Sequence, residues 1–443
     1  MVTPARGAAL RVLTEQEKGG FSDRLLKREL RRAGLEPREA ALCTRLCYGV
    51  LQNRALLDFY LAGCSSIPLS RLEARVLNIL RLGAYQTVFL DKTPDYAAVS
   101  ACVDMARAVS NPKTAGYVNA VLRALLRKPT LPVPGGPTAQ RLSVLYSQPL
   151  WQTETYLARL GEAETEALLA KNNEIPPLWI QHNPCRGTAE QLAISLVGEG
   201  VKLIPHPWLP GCFALENTGD MERLEAFRAG RFLVADPAAR LAVLAADPRP
   251  GDRVIDGCAA PGGKSFLAAM AMEDRGEVLA FDIHPHKLTL LEKGRDRLGL
   301  TAVKAGLKDA GVSDPALFQS ADLVVADLPC SGLGVVGKKP DIRYKREEDI
   351  RALPVLQLSL LQNLSRYVKP GGTLLYATCT LRREENEAVA QAFLAADPAF
   401  APTPFALPEP IGPAVEGMFT LWPHKHETDG FFIAKFVRLP NSI

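Results

Sequence analysis

Two cysteines stand where a thiol could do covalent chemistry. Cys330 lies in D-L-P-C-S-G-L-G and Cys379 in Y-A-T-C-T, each just past a run of apolar, strand-favouring residues. Cysteine is among the most buried residue types, so a single one reads as core. Two at the mouths of strands read as chemistry, because the thiolate is a strong nucleophile and nearby positive charge lowers its pKa from about 8.5. Carboxylates occupy the same kind of position: Asp282 and Asp327 end apolar runs, and Asp309 follows a third. No histidine neighbours either cysteine motif, which argues against a Cys-His hydrolase.

A glycine loop precedes them. Arg253 to Phe266 reads R-V-I-D-G-C-A-A-P-G-G-K-S-F, a short strand, a loop and a helix start. Gly257, Gly262 and Gly263 remove Cβ atoms where the chain must turn sharply and let a ligand lie against the backbone. This is the pattern of a nucleotide-cofactor loop, and it makes Cys258, Ala259, Ala260, Pro261, Gly262, Gly263 and Lys264 candidate cofactor contacts. The G-x-G-x-x-G spacing that seats a pyrophosphate is absent. Asp282 lies 26 residues beyond Asp256, about where a carboxylate accepts hydrogen bonds from a ribose diol; a helix N-cap is the plainer reading of the same residue.

These residues need a frame, and the sequence supplies one. From residue 231 onward, strand-like runs (254–256, 278–282, 301–305, 322–327, 373–378) alternate with helical stretches. Continuous apolar strands separated by helices predict a mostly parallel sheet covered on both faces, a Rossmann-like α/β fold. Ligands of such sheets bind outside the carboxyl ends of the strands, where the two cysteines and three carboxylates converge. Runs at 418–422 and 431–437 predict a closing antiparallel hairpin. Residues 139–230 read as a small α/β domain, in which Trp179 and Trp208 are assigned to core packing. Residues 1–128 read as all-helical: Leu72, Val76, Ile79 and Leu80 share one face, as do Tyr117, Val121 and Leu125. Six of the ten residues from Pro129 to Thr138 are proline or glycine, marking a linker.

Charge separates these parts. The first 128 residues hold 20 lysines and arginines against 11 acidic residues, a net +9, so the chain's total of +4 leaves −5 for the rest. A basic helical module fits a polyanion. Asn119, Arg123 and Arg127 recur four apart and form a ridge beside Lys113 and Lys128, making Arg123 and Arg127 candidate RNA contacts. Nine cysteines, an odd number without C-x-x-C pairs, and no apolar run of about 18 residues or more point to a reducing cytoplasm and no membrane. His424 and His426 lack further ligands at metal spacing, so no metal is expected.

At these motifs the chain resembles the cytosine-C5 RNA methyltransferases that use S-adenosylmethionine. D-G-C-A-A-P-G-G-K looks like their cofactor motif, D-L-P-C-S-G like their first cysteine motif, and Y-A-T-C-T with E-E-N-E like their nucleophile motif. K-P-D-I-R at 339–343 and D-G-F-F-I-A-K-F at 429–436 match in character. L-R-L-G-A-Y-Q, T-P-D-Y-A-A-V and G-Y-V-N-A-V-L-R resemble an antitermination-factor-like (NusB-like) RNA-binding domain, and the pairing is that of the bacterial 16S rRNA methyltransferases of the B type. The resemblance implies Cys379 as nucleophile on C6 of a cytosine, Cys330 in proton removal and enzyme release, and Asp327 on the base edge. It further implies S-adenosyl-L-methionine as cofactor, with Asp309 toward its adenine, 16S rRNA as partner and a monomeric protein. Leu328 stands where the family usually has alanine, and Ala235-Asp236 where it has Gln-Asp. Two other readings remain open at this stage: a non-catalytic RNA-binding factor, which would need neither cysteine, and a nicotinamide-dependent oxidoreductase, which would want the missing glycine spacing.

Overall fold

A computed structural model describes residues 4–91, 93–128 and 130–440. Its contacts divide the chain into two compact units. The first runs to Ile175 and also takes in Val336–Lys345; the second comprises Pro176–Val335 and the chain from Arg346 onward.

The first unit is helical: α1 Pro4–Gln16, α2 Ser22–Ala33, α3 Pro37–Gln52, α4 Arg54–Ala62, α5 Ala74–Phe89, α6 Asp95–Val109, α7 Pro112–Leu126, α8 Thr138–Leu145, α9 Leu150–Leu160 and α10 Glu162–Lys171. The apolar faces read from the periodicity meet in one core, where Val76, Ile79, Leu80, Val121 and Leu125 are buried. Arg123 and Arg127 are exposed, and Arg123 Nε donates to Asn119 Oδ1 at 3.0 Å, so the ridge on α7 exists. Helices α8–α10, which sequence pattern groups with the small domain beginning at 139, pack instead within this helical unit.

The K-P-D-I-R segment, read from sequence as part of the 231–443 domain, also belongs to the helical unit. Arg343 is fully buried there. Its guanidinium donates to Gln52 O at 3.1 Å, Tyr146 O at 3.0 Å, Asn173 Oδ1 at 2.7 Å and Asn172 O at 3.2 Å. None of these acceptors is a carboxylate, and burial pulls the guanidinium's pKa down. Carbonyl dipoles from three helix ends carry the charge. Either side, Ser22 Oγ donates to Asp341 at 2.7 Å, and Arg54 lies 3.5 Å over the Tyr344 ring.

The second unit holds two sheets. Strands β1 Leu178–His182, β2 Lys202–Pro205, β3 Cys212–Glu216 and β4 Phe232–Val234 form a small antiparallel sheet in the order β2-β3-β1-β4. Trp179 is buried, its ring 4.9 Å from that of His206, which in turn lies 4.4 Å from Trp208: core, as the sequence suggests. The larger sheet contains β5 Arg253–Asp256, β6 Glu277–Asp282, β7 Val303–Leu307, β8 Ala321–Asp327, β9 Val368–Thr378 and β10 Phe400–Pro402. After the two-residue pair β11 Phe405–Ala406 and β12 Pro413–Ala414 come β13 Met418–Leu421 and β14 Phe431–Arg438. Strands β7-β6-β5-β8-β9 run parallel, and β14 closes them antiparallel to β9 with β13 and β10 along its edge. Leu323–Ala326 and Leu374–Ala377 are buried without alternation because helices cover both faces of a parallel sheet. Among the described residues no helix is long and apolar enough to cross a membrane.

Arg343→Met keeps the length of the side chain but strands four acceptors. Urea unfolding of the full chain should show a loss of about 3 kcal/mol or more, and an unchanged midpoint would show that the guanidinium is dispensable.

Candidate active site

The carboxyl ends of β5, β6, β8 and β9, with the turn after β7, open onto a cavity of about 450 Å³. Its walls include Cys258, Ala260, Asp282, Asp309, Asp327, Cys330 and Cys379. Residues scattered over more than a hundred positions therefore meet because parallel strands all deliver their ends to one edge.

The two cysteines touch: Cys330 Sγ and Cys379 Sγ are 3.3 Å apart. The contact polarises the pair. A hydrogen bond from Cys330 lowers the pKa of Cys379; burial and the Asp327 charge oppose this, and the Lys264 ammonium assists it. Cys330 is pushed the other way, well above the ordinary thiol value, by that same bond and by burial. Of the two, Cys379 is the thiol pulled toward ionisation and Cys330 the one pushed toward keeping its proton. Cys258, in the glycine loop, is raised to about 12 by burial and is inert as a nucleophile.

Lys264 is buried, and its Nζ lies 2.6 Å from Asp327 Oδ2 and 4.7 Å from the centre of the Phe431 ring. Burial opposes its charge, yet the neighbouring Asp327 holds its pKa above the usual lysine value. At the root of the same loop, burial raises Asp256 to about 7, against a hydrogen bond from Ser265 Oγ at 2.7 Å.

Backbone crossings hold both cysteines in place. Gly334 N donates to Cys379 O at 2.9 Å, and Gly430 N donates to Gly334 O at 2.8 Å. A Cβ on Gly334 would sit 1.9 Å from Gly430 O, so the last glycine of the Cys330 motif and the glycine of D-G-F-F permit one close contact. Glu385 is fully buried and accepts from Ser331 N at 2.8 Å and from Gln357 Nε2 at 3.1 Å. Asn386 accepts from Thr378 Oγ1 at 2.6 Å and donates to Thr380 O at 2.9 Å, clamping the turn that carries Cys379. E-E-N-E is visible in the sequence, but nothing there distinguishes the buried Glu385 from its exposed neighbour Glu384.

The cofactor side is mixed. Asp282 ends β6 almost buried; its Oδ1 accepts from His284 N at 2.9 Å, and its Oδ2 lies 3.8 Å from Lys287 Nζ. The N-cap reading is not met, because His284 is the N-cap residue of the helix Pro285–Leu298; Asp282 closes the turn ahead of that helix and lines the cavity. Asp309 is exposed and turns one oxygen to Gly311 N at 2.8 Å. Cys258 and Ala260 face the cavity, whereas Ala259, Pro261, Gly262, Gly263 and Lys264 lie outside its lining. The ligand-cradle reading of the glycines is corrected in part. Gly257 lines the cavity, and the space of its missing Cβ is taken by Leu364; at Gly262, which lies outside the lining, that space is filled by Phe266 and φ is +112°, while Gly263 opens onto empty space. Leu328 lines the cavity with its side chain mostly in the core. His426 Nδ1 accepts from Trp422 N at 2.8 Å, and no metal-holding cluster exists among the described residues.

A doubly covered parallel sheet with a closing antiparallel strand, a thiol pair at its carboxyl edge and a carboxylate-ended cleft define the methyltransferase class of Rossmann-like proteins. Residues 243–437 match the profile of the 16S rRNA methyltransferase RsmB/F family, 3–127 that of the NusB family, and 148–222 the ferredoxin-like domain of RsmF/B-like methyltransferases. The chain is 33% identical to the probable ribosomal RNA small subunit methyltransferase B of Bacillus subtilis, across 97% of this chain and 98% of that one. It is 31% identical to ribosomal RNA small subunit methyltransferase B of Salmonella arizonae, across 90% and 91%. The crystal structure of PH0851 superposes with a TM-score of 0.82 at 27% identity, covering 98% of this chain and 99% of that one. A methyltransferase homolog protein from Pyrococcus horikoshii gives 0.59 at 27% identity, covering 69% and 100%. The chain belongs to the 16S rRNA methyltransferase RsmB/F family.

The thiol polarity has a direct readout. In Cys330→Ala the donor to Cys379 is gone, so the pH midpoint for iodoacetamide labelling of Cys379, followed by peptide mass spectrometry, should move up; an unmoved midpoint would show that Cys330 does not set its partner's ionisation.

Proposed function

We propose that this protein transfers a methyl group from S-adenosyl-L-methionine to C5 of a cytosine in 16S rRNA through a covalent bond between Cys379 and C6. The observation that carries the reading is the polarised thiol pair beside Lys264 and Asp327. C5 of cytosine is a poor nucleophile, and thiolate addition at C6 splits one difficult step into easier ones. The bound cofactor supplies an electrophilic methyl on a sulfonium.

Cys379 adds to C6, and the C5–C6 π electrons move toward C5 and the ring N3–C2=O2 system. N3 takes up a proton from water as the electrons reach it, and the N3–H donates to the Asp327 carboxylate, which Lys264 holds in place. With the methyl on C5, the C5 proton must leave before the S–C6 bond breaks and the C5=C6 bond reforms. Cys379, once bonded to carbon, no longer accepts the Cys330 proton; its loss to water leaves a sulfur placed to take the C5 hydrogen. The target base must be unpaired or flipped out of its stack for C6 to reach the thiolate.

On the cofactor side, Asp282 would hold the ribose diol and Asp309 the adenine edge, and the Cys258–Lys264 loop would border the methionine part through Cys258 and Ala260. The cleft fits this group on its own chemistry: an almost buried carboxylate lining the cavity at the end of β6, and a second carboxylate beyond β7. The helical unit supplies RNA contacts, with Arg123 and Arg127 as phosphate ligands. The protein acts as a monomer in the cytoplasm.

Two experiments test these roles. Asp282→Ala removes a charged hydrogen bond, so calorimetry should show S-adenosylmethionine affinity falling roughly 10- to 150-fold, with RNA affinity unchanged; equal cofactor affinity would sink the assignment. For the cysteines, the measurement is denaturing electrophoresis after incubation with 16S rRNA and cofactor. Cys330→Ala should stall before elimination and give an RNA-shifted band, while Cys379→Ala and the double variant give none. A shifted band in Cys379→Ala would reverse the roles, and turnover in both single variants with no band would refute covalent catalysis.

A further inference from the structure

A second side-chain bridge lies beneath the thiol pair. Strands β8 and β9 pair in parallel as far as Asp327 opposite Ala377, and Leu328 N still donates to Ala377 O at 3.2 Å. Beyond that point the two chains leave the sheet and slip one residue out of step, which brings Cys330 beside Cys379 and Ser331 beside Thr380. The segments therefore meet in two successive rungs. The sulfur rung, 3.3 Å long, lines the cavity and is part exposed. The hydroxyl rung joins Ser331 Oγ to Thr380 Oγ1 at 2.7 Å, with both side chains fully buried and outside the cavity wall. Each hydroxyl residue is anchored on its own side. Ser331 N donates to Glu385 Oε2 at 2.8 Å; Thr380 O accepts from Asn386 Nδ2 at 2.9 Å, and Arg382 N donates to Thr380 Oγ1 at 3.3 Å.

We propose that Ser331 and Thr380 are positioning residues whose hydroxyl bond sets the separation of the two sulfurs, one residue away in each chain. The inference rests on the reading of Cys379 as nucleophile with Cys330 as its partner, and deepens it by naming what holds them in register. Two hydroxyl oxygens come to 2.7 Å because one donates to the other. A carbon in either place keeps about 3.5 Å or more from its neighbour, so the hydroxyl rung draws the segments roughly 0.8 Å closer than apolar contact allows. A thiol is a weak donor and a weak acceptor, whereas an O–H···O bond is short and directional. Of two adjacent rungs, the hydroxyl one therefore dictates the spacing and the thiol one follows. The thiol contact matters because a hydrogen bond from Cys330 is the largest cause that lowers the Cys379 pKa. If the segments opened, Cys379 would lose that pull toward ionisation and Cys330 its placement against the C5 hydrogen. The cavity walls on the cofactor side would stay as they are, since neither hydroxyl lines them.

The test uses the full chain. Thr380→Val puts a methyl group in place of one hydroxyl, Ser331→Ala deletes the other, and Thr380→Ser keeps the bond as the conservative control. In iodoacetamide labelling read by peptide mass spectrometry, the pH midpoint of Cys379 should rise in Thr380→Val and in Ser331→Ala and stay at the parent's value in Thr380→Ser. In a Cys330→Ala background, Thr380→Val should add no further rise, because the effect runs through Cys330. Steady-state kinetics should show kcat for methyl transfer to 16S rRNA falling about 10- to 100-fold in Thr380→Val, the scale of a misplacement near 1 Å, with KM for RNA and for S-adenosylmethionine unchanged. Calorimetry with S-adenosylmethionine reports whether each variant is folded; should Thr380→Val no longer bind it, Ser331→Ala, which inserts nothing, decides. Midpoints unmoved in the folded variants overturn the proposal. An equal rise from Thr380→Val with and without Cys330 overturns it too, as does a loss confined to KM. Transfer of radiolabelled methyl to 16S rRNA by the parent chain separates the two readings: no transfer sinks the proposed function, while transfer with unmoved midpoints sinks only the positioning pair.

Discussion

The contact on which the catalytic edge depends is that between Lys264 Nζ and Asp327 Oδ2, at 2.6 Å. An ammonium removed from water is tolerated only where a counter-charge compensates its lost hydration, and removing one partner of such a pair costs far more than removing both. Lys264 sits at the start of the helix Gly263–Ala271, while Asp327 ends β8, so the pair ties the glycine loop to the neighbouring strand. The Phe431 ring closes over the ammonium from β14. The same charge assists ionisation of Cys379, which makes one compensated pair both a structural tie and the source of positive potential for the thiol.

Around that pair, precision comes from backbone and buried polar groups more than from apolar packing. The crossing of Gly334, Gly430 and Cys379 fixes three chain segments by two main-chain hydrogen bonds, with no room for a side chain. Glu385 takes Ser331 N and Gln357 Nε2, and Gln357 Nε2 also reaches Pro329 O at 2.9 Å. Both donors meet Oε2 of this buried carboxylate, so rotating it would strand a buried N–H. Two sulfurs held 3.3 Å apart need such rigidity, since the hydrogen bond between them is the largest cause of their opposite pKa shifts.

Arg343 solves a related problem without a counter-ion. Four oxygens, three of them main-chain carbonyls, converge on its guanidinium where helices α3 and α10 and the turn after α8 end. Helix C-termini leave carbonyls unpaired and carry partial negative charge, which suits a cation. The segment that supplies this arginine follows the Cys330 motif in the chain within a few residues, yet it folds as part of the helical unit. Two motifs that are neighbours in sequence therefore belong to different units.

The sequence by itself determined whatever depends on local backbone and on which residues shun water. Apolar runs of the right length at Val254, Val278, Leu323 and Leu374 gave the parallel sheet, and the rule that its ligands bind at strand ends picked out Asp282, Asp327, Cys330 and Cys379 before any coordinates. The motifs carried the family resemblance, and helical periodicity placed Arg123 and Arg127 on one exposed ridge. Tertiary structure alone decided what depends on partners distant in the chain. It brought the two sulfurs into contact beside Lys264, which pulls the Cys379 pKa down and pushes that of Cys330 up. It filled the space at Gly262 with Phe266, where local reasoning left room for a ligand, and kept Gly257 in the cavity wall. It also buried Glu385 and Arg343, whose letters in the sequence are those of any surface charge. Periodicity reports which face a residue occupies, but the cost of burying a charge is met by groups tens or hundreds of residues away, and only the folded chain brings those groups together.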